Sequence, residues 1–141
     1  MRFDSLRFRM ASDEVWETVR RELRAGRKET HWIWFVFPQL TSLGYSSMAT
    51  TYGLDTLRDA REYAADPVLG PRLREAFGLL LALPLSVTAL EVLGATDAMK
   101  LRSCATLFAA GTAWTEPGTV LERFFGGEHD PRTVAELADA A

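Results

Sequence analysis

Lys28-Glu29-Thr30-His31-Trp32-Ile33-Trp34-Phe35-Val36-Phe37-Pro38-Gln39-Leu40 is the segment on which the fold turns. It holds four aromatics within six residues and two of the four tryptophans of the chain. Aromatic and β-branched residues favour strands. A lone strand, however, leaves its N–H and C=O groups unpaired, and every other strong signal in the chain is helical. Residues 31–37 therefore read as a short helix or an irregular buried segment, ended by Pro38. The fold class that follows is all-α. So much ring area must be buried or must line a cavity. Lys28, His31 and Gln39 would then stand at the rim of the apolar mass, an arrangement common in small-ligand sites.

Outward from this segment, caps and periodicity outline about seven short helices in one irregular globular domain, 1–141. A short helical piece covers Asp4 to Met10. Residues 13–25 form an amphipathic helix, with Val15, Trp16, Val19 and Leu23 on one face, Ser12 as its cap and Gly26 as its stop. Residues 40–47, rich in Ser and Gly, read as a loop. Asp55 caps a helix over 56–65, and Gly70-Pro71 opens one closed by Pro84. Ser86 caps a short helix ending near Gly94, and Thr96 or Asp97 begins one running to about Ala110. Pro117 starts a helix that ends at Gly126-Gly127, and Asp130-Pro131 opens a last helix to about Ala138.

A chain of 141 residues with 48% hydrophobic content suits one domain with a core of its own. It has one cysteine, so no internal disulfide is available. No apolar run approaches the ~20 residues that a membrane helix needs. Met1-Arg2-Phe3-Asp4 lacks an apolar signal core. A cytoplasmic location is the expectation. The net charge of −3 disfavours nucleic acid as the main partner. Residues 1–28 are locally basic, chiefly through Arg20, Arg21, Arg24, Arg27 and Lys28.

Helix 97–109 is poor in long charged side chains and reads as central, covered on both sides. Leu101, Cys104, Ala105 and Phe108 form its apolar face, with Lys100, Arg102, Ser103 and Thr106 opposite. Cys104, on the apolar face, is expected to be buried and chemically quiet. The two histidines, His31 and His129, have no ligand-spaced partners, so no metal site is expected. No cofactor motif is present.

The chain resembles the DUF1810 family, an uncharacterised and mainly helical family sometimes mislabelled calpastatin. Four collinear motifs carry the resemblance, over roughly residues 3–137. The first is Lys28 with His31-Trp32-Ile33-Trp34-Phe35-Val36-Phe37-Pro38-Gln39-Leu40, followed by Leu43-Gly44-x-Ser46 and Tyr52. The second is Pro67-Val68-Leu69-Gly70-x-Arg72-Leu73. The third is Asp97-x-x-Lys100-Leu101-Arg102-Ser103-Cys104-Ala105-Thr106-Leu107-Phe108. The fourth is Leu121-x-Arg123-Phe124-Phe125-Gly126-Gly127 with Asp130-x-x-Thr133. The chain has Ser42 where the family often has Gly, and Cys104 where Ser is common. The resemblance implies a helical fold and supplies no catalytic residue.

Packing of the aromatic segment on helix 97–109 would gather Lys28, His31, Gln39, Asp97, Lys100, Arg102, Ser103 and Thr106 around a pocket walled by Trp32 or Trp34. Cations beside hydroxyls and indole rings suit a small anionic ligand, phosphorylated or nucleotide-like, NAD- or ADP-ribose-derived molecules among them. His31 and Asp97 would be its acid/base residues if a reaction follows. Arg102 is the outlier, because it lies about 160° round the helix from Lys100. The alternative from the same residues is a non-catalytic protein-interaction module that uses the basic stripe Arg20 to Lys28.

Overall fold

The computed structural model describes residues 3–139, and it is all-α. Nine α-helices are present among the described residues: α1 Ser5–Ala25, α2 Ile33–Val36, α3 Ser47–Thr51, α4 Leu57–Ala65, α5 Leu69–Leu81, α6 Ala89–Leu93, α7 Ala95–Gly111, α8 Glu116–Phe125 and α9 Pro131–Asp139. The only pairing of extended backbone there is an isolated parallel bridge between Leu40 and Leu54. None of these helices is long and apolar enough to cross a membrane.

The α7 helix is the axis. It packs against α8, α4, α6 and α9, and its buried residues, from Ala98 to Phe108, face several directions. The α1 helix lies on α5, which also packs on α4 and α8. The aromatic segment is indeed a short helix, four residues long, set against α1 and α5. Trp32, Ile33, Phe35, Val36 and Phe37 all enter one hydrophobic core with Phe77, Leu101 and Phe108.

Several boundaries differ from the sequence reading. The pieces 4–10 and 13–25 are one helix, capped by Asp4 and stopped at Gly26 with φ 72°. Ser12 is not a cap. It is buried inside α1, where its hydroxyl accepts from Arg72 Nη1 at 2.8 Å, and no breaker separates Met10 from Asp13. Thr56, not Asp55, caps α4. The α5 helix opens at Leu69, before Pro71, because the Asp66 carboxylate accepts from the N–H groups of Val68 and Leu69, both at 2.9 Å. Thr88, not Ser86, caps α6, through a capping box with Glu91. Gly94, at φ 81°, lets α7 begin at Ala95. The stretch 40–47 contains a 3-10 turn, Thr41–Leu43, and leads into α3, a five-residue helix too short for periodicity to reveal.

Two devices hold the aromatic segment and the next loop in place. The Glu22 carboxylate, 3% exposed, accepts from Glu29 N, Thr30 N, Thr30 Oγ1 and Trp32 Nε1 at 2.7–3.1 Å. Burial pushes its pKa up, but these hydrogen bonds outweigh that and hold it at about 2. Loop 39–54 is closed at its root by Thr41 N to Leu54 O at 2.9 Å and Leu54 N to Gln39 O at 3.0 Å.

Candidate functional site

Beside α7 lies a cavity of about 360 Å³. One wall is a single face of α7, from Thr96 through Met99 and Lys100 to Ser103. The facing wall is loop 39–49, with Gln39, Leu43, Gly44, Tyr45, Ser46 and Ala49. Asp130 and Arg132, at the start of α9, close one end. A narrow crevice of about 10 Å³ lies between Trp34, Phe37, Tyr52 and Gly53, and it shares Gln39, Ala49 and Lys100 with the main cavity.

The charge at this wall is set by one carboxylate and two ammonium groups. Lys28 Nζ lies 2.9 Å from Asp97 Oδ2, and Lys100 Nζ lies 3.3 Å from Asp97 Oδ1. The Lys28 side chain is 7% exposed, with its ammonium 5.1 Å from the Trp32 ring centroid. Lys100 Nζ stands 5.8 Å from the Trp34 ring centroid. Asp97 neutralises one charge, so the trio carries a surplus positive charge, and Lys100 presents it to the cavity. Arg132 adds a second cation, exposed and without an ion pair among the described residues.

The sequence matches the family described as protein of unknown function (DUF1810) over residues 2–137. The chain belongs to the DUF1810 family. A crystal structure of the conserved hypothetical protein Rv1873 from Mycobacterium tuberculosis is similar to it, with 45% identity, a TM-score of 0.94, and coverage of 96% of this chain and 97% of that one. Among curated proteins, none matches the chain.

In this DUF1810 chain, the residues nominated from sequence fall into three groups. Gln39, Lys100 and Ser103 line the cavity, and Trp34 lines the crevice below it. Lys28, Asp97 and Trp32 lie behind the wall, where Lys28 and Asp97 fix Lys100 and Trp32 is bonded to Glu22. His31, Arg102 and Thr106 lie outside the lining. His31 is exposed, on the surface strap before α2. Arg102 points away from Lys100, donating to Glu128 O at 3.1 Å and His129 O at 2.8 Å. Thr106 is buried, donating to Arg102 O at 2.8 Å and accepting from Asp130 N at 2.9 Å. Arg102 and Thr106 therefore hold the turn that carries Asp130.

Tyr45, Ser46, Thr96, Met99, Asp130 and Arg132 line the cavity without having been nominated. In the sequence Asp130 stands out as a helix cap and as part of the fourth motif, and nothing singles out Arg132. Among the described residues, no group of three or more His, Cys, Asp or Glu side chains is placed to hold a metal ion.

Proposed function

We propose that the cavity binds a small phosphorylated, nucleotide-like molecule. The observation that carries the reading is the sharing of Asp97 by two lysines, which leaves Lys100 under-neutralised at the wall of a ligand-sized space. Arg132 stands at its end, and Tyr45 supplies a ring surface for a flat group. Lys28 serves as a positioning residue, because its ammonium takes the nearer carboxylate oxygen. The proposal is binding. Asp97, held between two ammonium groups, and His31, on the surface, take no catalytic part in it.

A second reading is a protein-interaction face on the basic stripe. Arg21, Arg24 and Arg27 are exposed there, whereas Arg20 is bonded to Glu75 and Glu17, and Lys28 to Asp97.

Titration of AMP into the wild type, Lys100→Ala and Arg132→Ala by calorimetry at low salt separates the two. The reading predicts binding to the wild type, weakened about tenfold or more in each variant, since a charge-assisted contact is lost. Equal affinity in all three would overturn it. Lys28 still pairs with Asp97 in Lys100→Ala, so its melting temperature should stay close to that of the wild type.

A further inference from the structure

Asp130 is an unusual residue to find in an anion-binding wall. It is 5% exposed and makes no ion pair among the described residues. Oδ2 accepts from Thr133 N at 2.9 Å and Thr133 Oγ1 at 2.6 Å. Its N–H donates to Thr106 Oγ1 at 2.9 Å. The turn before it is clamped by Arg102 through the carbonyls of Glu128 and His129. Among the described residues Oδ1 accepts no hydrogen bond. No side-chain oxygen or nitrogen among them is both fully buried and without a partner, so Oδ1 keeps some solvent contact, and Asp130 belongs to the cavity lining.

A fixed carboxylate in the same cavity lining as Lys100 and Arg132 has a chemical consequence. Inorganic phosphate near neutral pH is chiefly an acceptor and an anion, and Asp130 repels it. A ligand that carries hydroxyl donors as well as an anion turns the same oxygen into a partner. Burying a carboxylate without a donor is costly, so the complex that supplies donors is favoured over the one that does not.

We propose that Asp130 determines specificity in this cavity by accepting hydrogen bonds from the vicinal hydroxyls of a ribose phosphate, while Lys100 and Arg132 take the phosphate. This rests on the anion-binding reading above and narrows its ligand from phosphorylated molecules in general to those bearing a free sugar diol. Discrimination resides in a group that rejects the wrong ligand as well as one that holds the right ligand.

The test uses AMP, 2′,3′-dideoxy-AMP and inorganic phosphate, titrated by calorimetry into the wild type and Asp130→Asn. Asparagine still caps a helix, so α9 and its bond from Thr133 N are kept, while the free side of the group now carries a donor in place of the acceptor. The wild type should bind AMP about tenfold or more tightly than the dideoxy analogue. Asp130→Asn should erase that preference and bind inorganic phosphate at least as well as the wild type does. Equal affinity of the wild type for the two nucleotides overturns the proposal, and so does a preference that survives in Asp130→Asn. If AMP binding depends on Lys100 and Arg132 but not on the diol, the anion-binding reading stands and the role of Asp130 falls. If none of the three ligands binds the wild type, both fall. Should Asp130→Asn melt early, the wild-type ratio of AMP to dideoxy-AMP decides alone.

Discussion

Glu22 shows how one side chain fixes the segment that carries the aromatic motif. Four donors from Glu29, Thr30 and Trp32 converge on its carboxylate. An amide offers a single acceptor oxygen and turns two donors toward the same groups. Glu22→Gln should therefore cost about 2–4 kcal/mol in urea unfolding. The pH dependence has a definite sign. The folded pKa, about 2, lies below the ordinary 4.5, so the stabilisation is fully present above pH 4.5 and is lost as pH falls from there toward 2. The stability gap between wild type and Glu22→Gln should shrink across that window. A gap that stays constant would contradict the assignment. Cys104 makes a second case. Burial pushes its thiol pKa well up, and the side chain has no exposed surface. In the native protein a thiol reagent should modify it no faster than the fold opens. Rapid labelling would mean that α7 is not the covered axis described here.

At the scale of elements, loop 39–54 depends on two close approaches. A Cβ on Gly44 would collide with the Cβ of Ala49, and one on Gly53 would come within 2.6 Å of the Thr41 Cα and 2.8 Å of the Ala49 oxygen. Gly53→Ala must therefore displace the backbone that seats Gln39 and Ala49 in the cavity wall, at a cost of about 1–3 kcal/mol. Gly118→Ala, inside α8 with nothing within 4 Å of the added Cβ, should be neutral or stabilising by up to about 1 kcal/mol. Thermal melts of the two variants check the contrast. Apolar periodicity that repeats over several turns made α5 and the 13–25 part of α1 legible. The cap at Asp130-Pro131 was legible because both residues act within one turn of α9. Ser12 misled because a serine before two acidic residues looks like a cap, whereas its hydroxyl is occupied by Arg72, 60 positions away. The α3 helix was hidden because five residues carry no period.

Over the whole molecule, a chain of net charge −3 gathers a positive spot where three distant segments meet. Gln39, Lys100 and Ser103 could be nominated from sequence, since each is a polar residue bordering an apolar stretch. Asp130 and Arg132 could not, because only the packing of α9 on α7 brings them to the wall. His31 was attractive for its place beside the tryptophans, yet Trp32 is buried with its indole N–H on Glu22 while His31 stays on the outside. The exposed arginines of the stripe, Arg21, Arg24 and Arg27, are not among the cavity-lining residues, so a map of binding distinguishes the two readings. The most direct measurement is an amide nitrogen–proton correlation spectrum of the labelled protein, titrated with AMP at low salt. The account predicts saturable shifts confined to residues 39–49, 96–103 and 130–132. An unchanged spectrum, or shifts centred on Arg20 to Lys28, would contradict it.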